Sequence, residues 1–493
     1  MKQPTLKLTR ARMGQEDIIM QATTKPKFVI PKHLQPYVVE QNYDKYTEVD
    51  QQVWRHVLHR NYNFLKDVAH PAYVDGLRKT GISLDHIPRV EEMNQCLQPS
   101  GWGAVTIDGF IPAVVFFDFQ SRGILPIATD IRKPEHIDYT PAPDIIHEAA
   151  GHAPILSDKW YADYVKRFGQ IGAKAFATRE EHEVFEAIRA YSKLMEDPLA
   201  TQEEVQLAKE ILDAKQSAVT GVSEAEEIAR LYWWTVEYGL FGKLEQPLLY
   251  GAGLLSSIEE SRHCLTDAVI KRPFSLEETI HTAFDITKMQ PQLFVCESFD
   301  QLLDSVERFK HRMAFHTGGR VAMEKALRSG ATSTVVYSSG LQVTGTLESM
   351  VYAENSEIVF FRMEGPTALA WNNQELNGHG KSTHADGFSS PIGRLQGVSL
   401  PLELFTDGDL EAHGIRMNEH VKLTLEGGIT VEGRLEEIVR QEGKILLLSF
   451  HQCKISHHGR TLFQSDQGTY DMAVGERIGS AFAGEADPER FFE

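Results

Sequence analysis

The 493-residue sequence has only four cysteines, Cys96, Cys264, Cys296 and Cys453. They lie far apart and form no CxxC pair, so the sequence indicates neither a disulfide framework nor a cysteine-bound metal. Long apolar runs are also lacking: IPAVVFFDF, at 111–119, is among the longest and is interrupted. No segment is long enough to span a membrane, and the basic N-terminus has no apolar stretch typical of a secretory signal. We therefore expect a cytoplasmic protein with reduced thiols.

Positive charge is in short supply. The chain has 50 Lys and Arg against 69 Asp and Glu, a formal charge of −19. This balance argues against nucleic acid or an anionic membrane as a partner.

The pattern of the chain changes near residue 320. Residues 1–30 are polar and basic and predict a loose tail, whereas 31–319 show mostly helical spacing, as in VDQQVWRHVLHRNYNFL at 49–65. A charged segment at about 179–223 has one apolar face in each half and predicts a helical hairpin. From 320 to 493, short β-type runs alternate with Gly, Asn and Ser turns.

The second half also repeats itself. GLQVTGTLESMVYAE at 340–354 matches GITVEGRLEEIVRQE at 428–442 at an offset of 88, with seven of fifteen positions identical. The repeat predicts two tandem small β modules, at about 330–412 and 418–493. Because His451, His457 and His458 have no histidine counterparts 88 residues earlier, we expect duplicated scaffolding and no catalytic role.

Residues 143–154, PDIIHEAAGHAP, hold the first candidates for chemistry. A zinc protease places two histidines four residues apart on one helical face, but His147 and His152 are five apart. On a straight α-helix this turns the two rings about 140° away from each other. Gly151 and Pro154 predict that the helix ends or bends there, which would let His152 swing back. Alone, the spacing leaves two structural histidines as an equal alternative.

A third ligand is available in YWWTVEYGL at 232–240, where Glu237 stands among aromatic and aliphatic residues. A buried carboxylate there needs a partner or a metal, although an isolated Glu would more simply face water. Two His and one carboxylate, with open positions on the metal, suit non-haem Fe(II) enzymes that activate oxygen.

With these residues in view, the sequence resembles the pterin-dependent aromatic amino acid hydroxylases, and most closely their phenylalanine-hydroxylating members. The resemblance covers roughly residues 45–312. It rests on five stretches in the same order: DGFIPAVVFFDFQSRGILPIATDIRKPEHIDYTPAPD, PDIIHEAAGHAPILSD, LYWWTVEYGL, YGAGLLSS followed by HCL, and QPQLFVCESFD. It implies a mainly α catalytic domain at 31–319, ahead of the mainly β region that the strand pattern predicts. It also implies that His147, His152 and Glu237 bind Fe(II).

The resemblance assigns the other site residues by motif position. For the cofactor, tetrahydrobiopterin or a related reduced pterin, they are Phe116, Glu148 and the loop of Gly109, Ile111 and Ala113. For the amino acid substrate, they are Arg132, Thr140, Pro143, Trp233 and Ser256. Arg132 would grip the substrate carboxylate, since a guanidinium makes two charge-assisted hydrogen bonds at once. Without the resemblance, Phe116 would be interpreted as a core residue and Arg132 as a solvated charge on the surface.

The implied reaction is ring hydroxylation of free L-phenylalanine to tyrosine with O2. Trp233 stands where tryptophan-hydroxylating members tend to carry a smaller ring, and Ile286 where tyrosine hydroxylases carry an acid. Tyrosine or tryptophan hydroxylation stays an alternative, as do a zinc hydrolase and an inactive metal-binding domain with a β interaction module. The helical segment and the β region depart from the family, and either could form a homo-oligomer.

Overall fold

The computed structural model describes residues 29–109, 111–137, 143–196, 200–286 and 288–492. Its first long helix, α1 (Glu48–Val68), begins at a capping box in which Thr47 and Asp50 bond each other's backbone N–H. Residues at helical spacing, among them Trp54, Val57 and Leu65, are buried. The predicted helix over 49–65 is therefore confirmed.

The first part of the chain is mostly helical, with two small sheets. Its helices are α1, α2 (Ala72–Lys79), α3 (Val90–Leu97), α4 (Ala113–Ser121), α5 (Lys159–Gly172), α6 (Arg179–Glu196), α7 (Gln202–Ala218), α8 (Glu224–Tyr232), α9 (Ala252–Ser256), α10 (Glu260–His263), α11 (Leu276–His281), α12 (Phe299–Lys310), α13 (Ala314–Thr317) and α14 (Gly319–Ser329). Its strands are β1 (Gly103–Ile107), β2 (Ile124–Ala128), β3 (Leu240–Lys243), β4 (Gln246–Leu249), β5 (Ile270–Pro273) and β6 (Gln292–Cys296). β1 pairs in parallel with β2, and the other four follow the order β4-β3-β6-β5.

Helices α6 and α7 form a hairpin within the segment predicted at about 179–223. They pack against each other, and Lys215 of α7 contacts Glu183 of α6 at 2.6 Å. None of the residues of α7 is buried. No helix among the described residues combines the length and apolarity needed to cross a bilayer.

The second part of the chain folds into two antiparallel sheets. Its strands are β7 (Thr332–Tyr337), β8 (Leu341–Tyr352), β9 (Ile358–Trp371), β10 (Gln374–Glu375), β11 (Gly387–Pro391), β12 (His420–Thr424), β13 (Ile429–Gln441), β14 (Lys444–His457), β15 (Arg460–Phe463), β16 (Tyr470–Ala473) and β17 (Ile478–Ala483), with the short helices α15 (Asp407–Ala412) and α16 (Pro488–Phe491). One sheet has the order β10-β9-β8-β7, with β11 also on β9. The other repeats it as β15-β14-β13-β12, with β16 on β14.

The two sheets are nevertheless joined by exchanged strands. β17 follows the second sheet in sequence but pairs with β7 of the first. In the same way, Leu395 follows β11 and bridges to Leu425 beside β12 of the second. The structure thus differs from the predicted copy at 418–493, because β17 completes the other sheet; each sheet's free edge strand is covered by the other half.

This β region packs directly on the helical part. In β17, Ser480 Oγ donates to the carbonyl oxygen of Phe315 at 2.7 Å, and Ala483 N donates to that of Lys174 at 3.2 Å. Phe176 of the helical part lies in the apolar core formed with β7, β8 and β9. Removal of the β region would expose this ring, so the two parts support each other.

Candidate metal centre and its cavity

His147 and His152 lie on a π-helix, Ile146–His152. In a π-helix the backbone bonds residue i to i+5, so side chains five residues apart come to one face. The π-helix ends at His152, where Gly151 and Pro154 predicted an end or a bend, and a 3-10 turn, Ala153–Ser157, follows. The two rings come together through the wider π turn, which the sequence did not predict. A Cβ at Gly151 would lie 2.7 Å from the carbonyl oxygen of Ala252, so only glycine lets α9 approach this helix.

Glu237 ends a second π-helix, Trp233–Glu237, which continues α8. The Nε2 atoms of His147 and His152 are 3.2 Å apart. The carboxylate of Glu237 lies 3.2 Å from Nε2 of His147 and 3.1 Å from Nε2 of His152. The structure thus brings together the three residues that the sequence predicted as metal ligands.

The three donors are largely removed from water, and their charges depend on one another. Burial works against ionisation of Glu237, but the adjacent His152 and His147 outweigh it and hold the pKa of its carboxyl well below the usual range. Glu237 is therefore a carboxylate at neutral pH, as a metal ligand must be.

The spacing of these atoms fits one metal ion. An octahedral metal about 2.2 Å from its ligands holds neighbouring ligand atoms about 3.1 Å apart. Ser256 Oγ lies 3.2 Å from Nδ1 of His147 and fixes the ring from behind. Two imidazoles and one carboxylate on one side of a metal ion would leave the coordination positions on its opposite side open.

His147 and Glu237 of this cluster line a cavity of about 390 Å³. The wall also carries predicted site residues, namely Ala113, Phe116, Arg132, Pro143, Glu148, Trp233, Ser256 and Ile286. Phe116 is half-buried and meets Phe117 and Tyr232 in edge contacts. Trp233 stacks on Phe284 with ring centroids 4.4 Å apart. The cavity is thus an aromatic slot with two of the metal ligands on one wall.

Glu148 is a second acid in the cavity, and it differs from Glu237. Its Oε2 atom is buried without a hydrogen-bond partner among the described residues and lies 3.8 Å from Nε2 of His152. Burial raises the pKa of Glu148 to about 8, which the His152 charge only partly offsets. At neutral pH it is therefore a neutral acid that can donate a hydrogen bond into the cavity.

Arg132 is buried as well, and its guanidinium is already bonded. Nε and Nη2 donate to the two oxygens of Asp144 at 2.9 and 2.8 Å, and Nη1 donates to the carbonyl oxygen of Ser256 at 3.0 Å. The sequence predicted that Arg132 would bind a substrate carboxylate through two N–H groups at once. In the structure, Nε and Nη2 make this paired interaction with Asp144 instead. Of the five guanidinium N–H groups, these bonds leave one on each Nη.

Some predicted residues lie elsewhere. Gly109 and Ile111 are not on the cavity wall, and Ile111 packs beside a separate apolar cluster around Val105 and Phe119. Thr140 lies outside the described residues.

Two functional candidates were not predicted. Asp144 holds Arg132 and also accepts from the backbone N–H of His147 at 3.0 Å. Glu260 lines the cavity and accepts from Gln290 N at 2.8 Å, and burial raises the pKa of its carboxyl to about 7. Asp144 could have been found from the sequence, because it directly precedes the histidine helix and an acid at a helix N-terminus is favourable there. Glu260 lies in a polar stretch of sequence, which does not set it apart from its neighbours.

Comparison with known proteins places this geometry in a family. The profile described as biopterin-dependent aromatic amino acid hydroxylase matches residues 37–186 and 194–317, more than half of the chain. The predicted helical insertion at about 179–223 stays a prediction, since the match runs to 186 and resumes at 194.

Two relatives and one solved structure are similar to part of this chain. The chain is 31% identical over 274 residues to phenylalanine-4-hydroxylase of Mesorhizobium japonicum, covering 55% of this chain and 83% of that one. It is 30% identical over 258 residues to that of Pseudomonas aeruginosa, covering 52% and 81%. A Chromobacterium violaceum phenylalanine hydroxylase structure with bound iron(III) and 7,8-dihydrobiopterin is 26% identical, with a TM-score of 0.44, covering 58% and 92%. The chain belongs to the biopterin-dependent aromatic amino acid hydroxylase family.

Proposed function

We propose that the chain is a phenylalanine 4-monooxygenase, which hydroxylates free L-phenylalanine to tyrosine with O2, a reduced pterin and Fe(II). The observation that carries this proposal is the convergence of His147, His152 and Glu237, two of which, His147 and Glu237, line the aromatic cavity. Relatives named phenylalanine-4-hydroxylase support the choice of substrate.

In this proposal His147, His152 and Glu237 hold Fe(II). Bound iron and reduced pterin would together supply the electrons that activate O2. The protein's own contribution is to fix the ligands: Ser256 orients His147, and burial keeps water from the remaining donors.

The pterin would lie between Phe116 and Glu148. The Phe116 ring makes edge contacts with its neighbours and offers its face to the cavity for stacking. Glu148, protonated at neutral pH, would donate a hydrogen bond to a ring acceptor. The loop of Gly109, Ile111 and Ala113 would contribute backbone contacts, of which Ala113 alone among these three stands on the described cavity wall.

The substrate would enter with its ring between Pro143 and Trp233 and its carboxylate at Arg132. The two remaining N–H groups of Arg132 are the donors for that carboxylate, and Asp144 fixes the direction in which they point. Thr140 would contact the amino acid backbone.

Selectivity for phenylalanine would follow from the apolar far wall. Trp233, stacked on Phe284, would narrow the cavity so that an indole ring fits poorly. The Ile286 side chain has no group that could form a hydrogen bond with a phenol hydroxyl. Such contacts discriminate by about 1–3 kcal/mol, so tyrosine is expected as a poor substrate.

The test is turnover by the full chain loaded with Fe(II), supplied with a tetrahydropterin, O2 and each aromatic amino acid in turn. Tyrosine formed from phenylalanine, with one pterin oxidised per product, is the expected result. Faster hydroxylation of tryptophan or tyrosine would refute the assignment of phenylalanine as the substrate. Absence of product with all three amino acids would favour the alternative of an inactive metal-binding domain. His152→Ala is the matched control for metal-dependent turnover.

A further inference from the structure

A second cluster of metal-type ligands lies in the β region. His379 and His384 stand in the loop between β10 and β11 of the first sheet, and Asp471 stands on β16 of the second. Nδ1 of His379 and Nε2 of His384 are 3.3 Å apart. Oδ2 of Asp471 lies 3.7 Å from the first and 3.8 Å from the second. Both histidines are 9% exposed.

We propose that His379, His384 and Asp471 form a second metal site, independent of the hydroxylase centre, that binds Zn(II). The nearest point equidistant from the three donor atoms lies in their plane, about 2.1 Å from each, and a tetrahedral ion about 0.7 Å out of that plane would lie about 2.2 Å from each. Both distances match the zinc–nitrogen and zinc–oxygen distances of about 2.0–2.2 Å in proteins. A tetrahedral ion of that size holds neighbouring ligands about 3.4 Å apart, wider than the octahedral spacing of the hydroxylase centre.

Hydrogen bonding alone does not account for this arrangement. The two separations from Asp471 Oδ2 exceed hydrogen-bond length, yet this oxygen and both nitrogens face one point. Asp471 is half-buried, and its Oδ2 stands beside two imidazole nitrogens without a hydrogen bond to either, as expected for three ligands of one cation. The gap has the size of a metal ion.

The ligands are also held in place by their own neighbours. Ser449 Oγ donates to the other oxygen of Asp471 at 2.5 Å, as expected for a supported metal ligand. The carbonyl oxygens of His379 and His384 accept from Leu369 N at 2.9 Å and Thr367 N at 3.0 Å, which ties both residues to β9. The loop is therefore fixed in the binding geometry.

The fourth position on the metal faces a cavity of about 340 Å³ whose wall includes His384 and Asp471. Water or a small anion would complete the tetrahedron there. Because the histidines belong to one sheet and Asp471 to the other, the ion would cross-link the two halves of the duplicated region.

The test counts metal in the full chain. Metal-free protein is reloaded with Zn(II), desalted and measured by mass spectrometry of the metal. Wild type should retain two ions per chain, His384→Ala one, His152→Ala one and the double variant none. Because Zn(II) also enters iron sites, the His152→Ala background isolates the β site, where Co(II) should give the intense visible bands of a tetrahedral complex.

Matched variants keep the result decisive. Asp471→Asn preserves size and should weaken Zn(II) retention at least tenfold even if His384→Ala fails to fold. His451→Ala, an exposed histidine of the same region, should retain the second ion. Hydroxylation by iron-loaded Asp471→Asn should equal wild type. Equal Zn(II) retention by wild type, His384→Ala and Asp471→Asn would overturn the proposal without touching the hydroxylase assignment.

Discussion

Two of the histidine pairs that stand five residues apart, His147/His152 and His379/His384, contribute to candidate metal sites, and a different backbone brings each of these pairs together. His147 and His152 share a face because a π-helix bonds residue i to i+5. His379 and His384 lie in a loop whose backbone is tied to β9. A spacing of five residues therefore does not predict by itself whether two side chains lie close together. The conformation of the local backbone decides it.

The surroundings of the two clusters differ as much as their backbones. The hydroxylase cluster borders an aromatic cavity with a neutral acid, Glu148, and a buried cation, Arg132. The β cluster is supported by Ser449 and by backbone bonds to β9, and the cavity beside it is lined mainly by polar residues. We infer that the first site is built for chemistry and the second for holding an ion.

The largest expected effect is a difference in hydroxylation activity between variants of the two histidine pairs. His152→Ala should abolish hydroxylation, by at least about a thousandfold, because the iron loses one of three ligands. His384→Ala should leave it unchanged. Product formation and iron content of the two variants, with circular dichroism as the check on folding, measure this. Normal turnover by His152→Ala with full iron occupancy would refute the ligand assignment.

These contrasts also show what the sequence could and could not predict. The ligands of the hydroxylase site were predicted because neighbouring motifs carry them, and α1 because its apolar spacing and cap agree. The π-helix was missed, since the propensities of its residues do not distinguish i→i+5 from i→i+4 bonding. The Arg132–Asp144 pair and the β17 exchange depend on tertiary contacts between segments distant in sequence. His379, His384 and Asp471 were missed for the same reason.

Glu148 should make the stability of the metal-free protein depend on pH. Its pKa is about 8 in the folded state against 4.5 in the unfolded chain. Its contribution to stability is therefore complete below about pH 4.5 and is lost as pH rises to about 8, a loss of about 5 kcal/mol. Denaturant unfolding followed by tryptophan fluorescence measures it, since five of the six tryptophans precede residue 320.

Glu148→Gln is the matched control for this pH dependence, because the amide has the same shape but does not titrate. The variant should lose the fall in stability between pH 4.5 and 8. Identical pH profiles for wild type and variant would show that Glu148 is ionised in the folded protein.

Arg132→Lys should raise KM for phenylalanine about a hundredfold, the value of one or two charge-assisted hydrogen bonds. A lysine ammonium has three N–H groups, and Asp144 with the Ser256 carbonyl would occupy them all. None would remain for the substrate. Steady-state kinetics should show the loss with phenylalanine and not with phenethylamine, which has no carboxylate; equal losses would give Arg132 another role.

A milder pair of changes tests the supporting bonds of the two clusters side by side. Ser256→Ala removes the hydroxyl behind His147, and Ser449→Ala removes the one behind Asp471. Each should weaken metal binding at its own site by roughly 10–100-fold and leave the other site unchanged. Metal titrations of the two variants measure this. Loss of metal from both sites in either variant would show that the change acts through the fold and not through the ligand.

The smallest expected effect concerns substrate choice at Ile286. This side chain lies on the cavity wall and is 48% exposed, so water screens any charge placed there. Ile286→Asp should therefore raise the ratio of kcat/KM for tyrosine over phenylalanine by about tenfold at most, within the ~1–3 kcal/mol that one pocket contact supplies. Ile286→Val, which changes size without charge, should leave the ratio within about twofold. Competition between the two amino acids measures both variants; an equal change in both would mean that pocket volume, and not an acceptor for the phenol hydroxyl, sets the preference at this position.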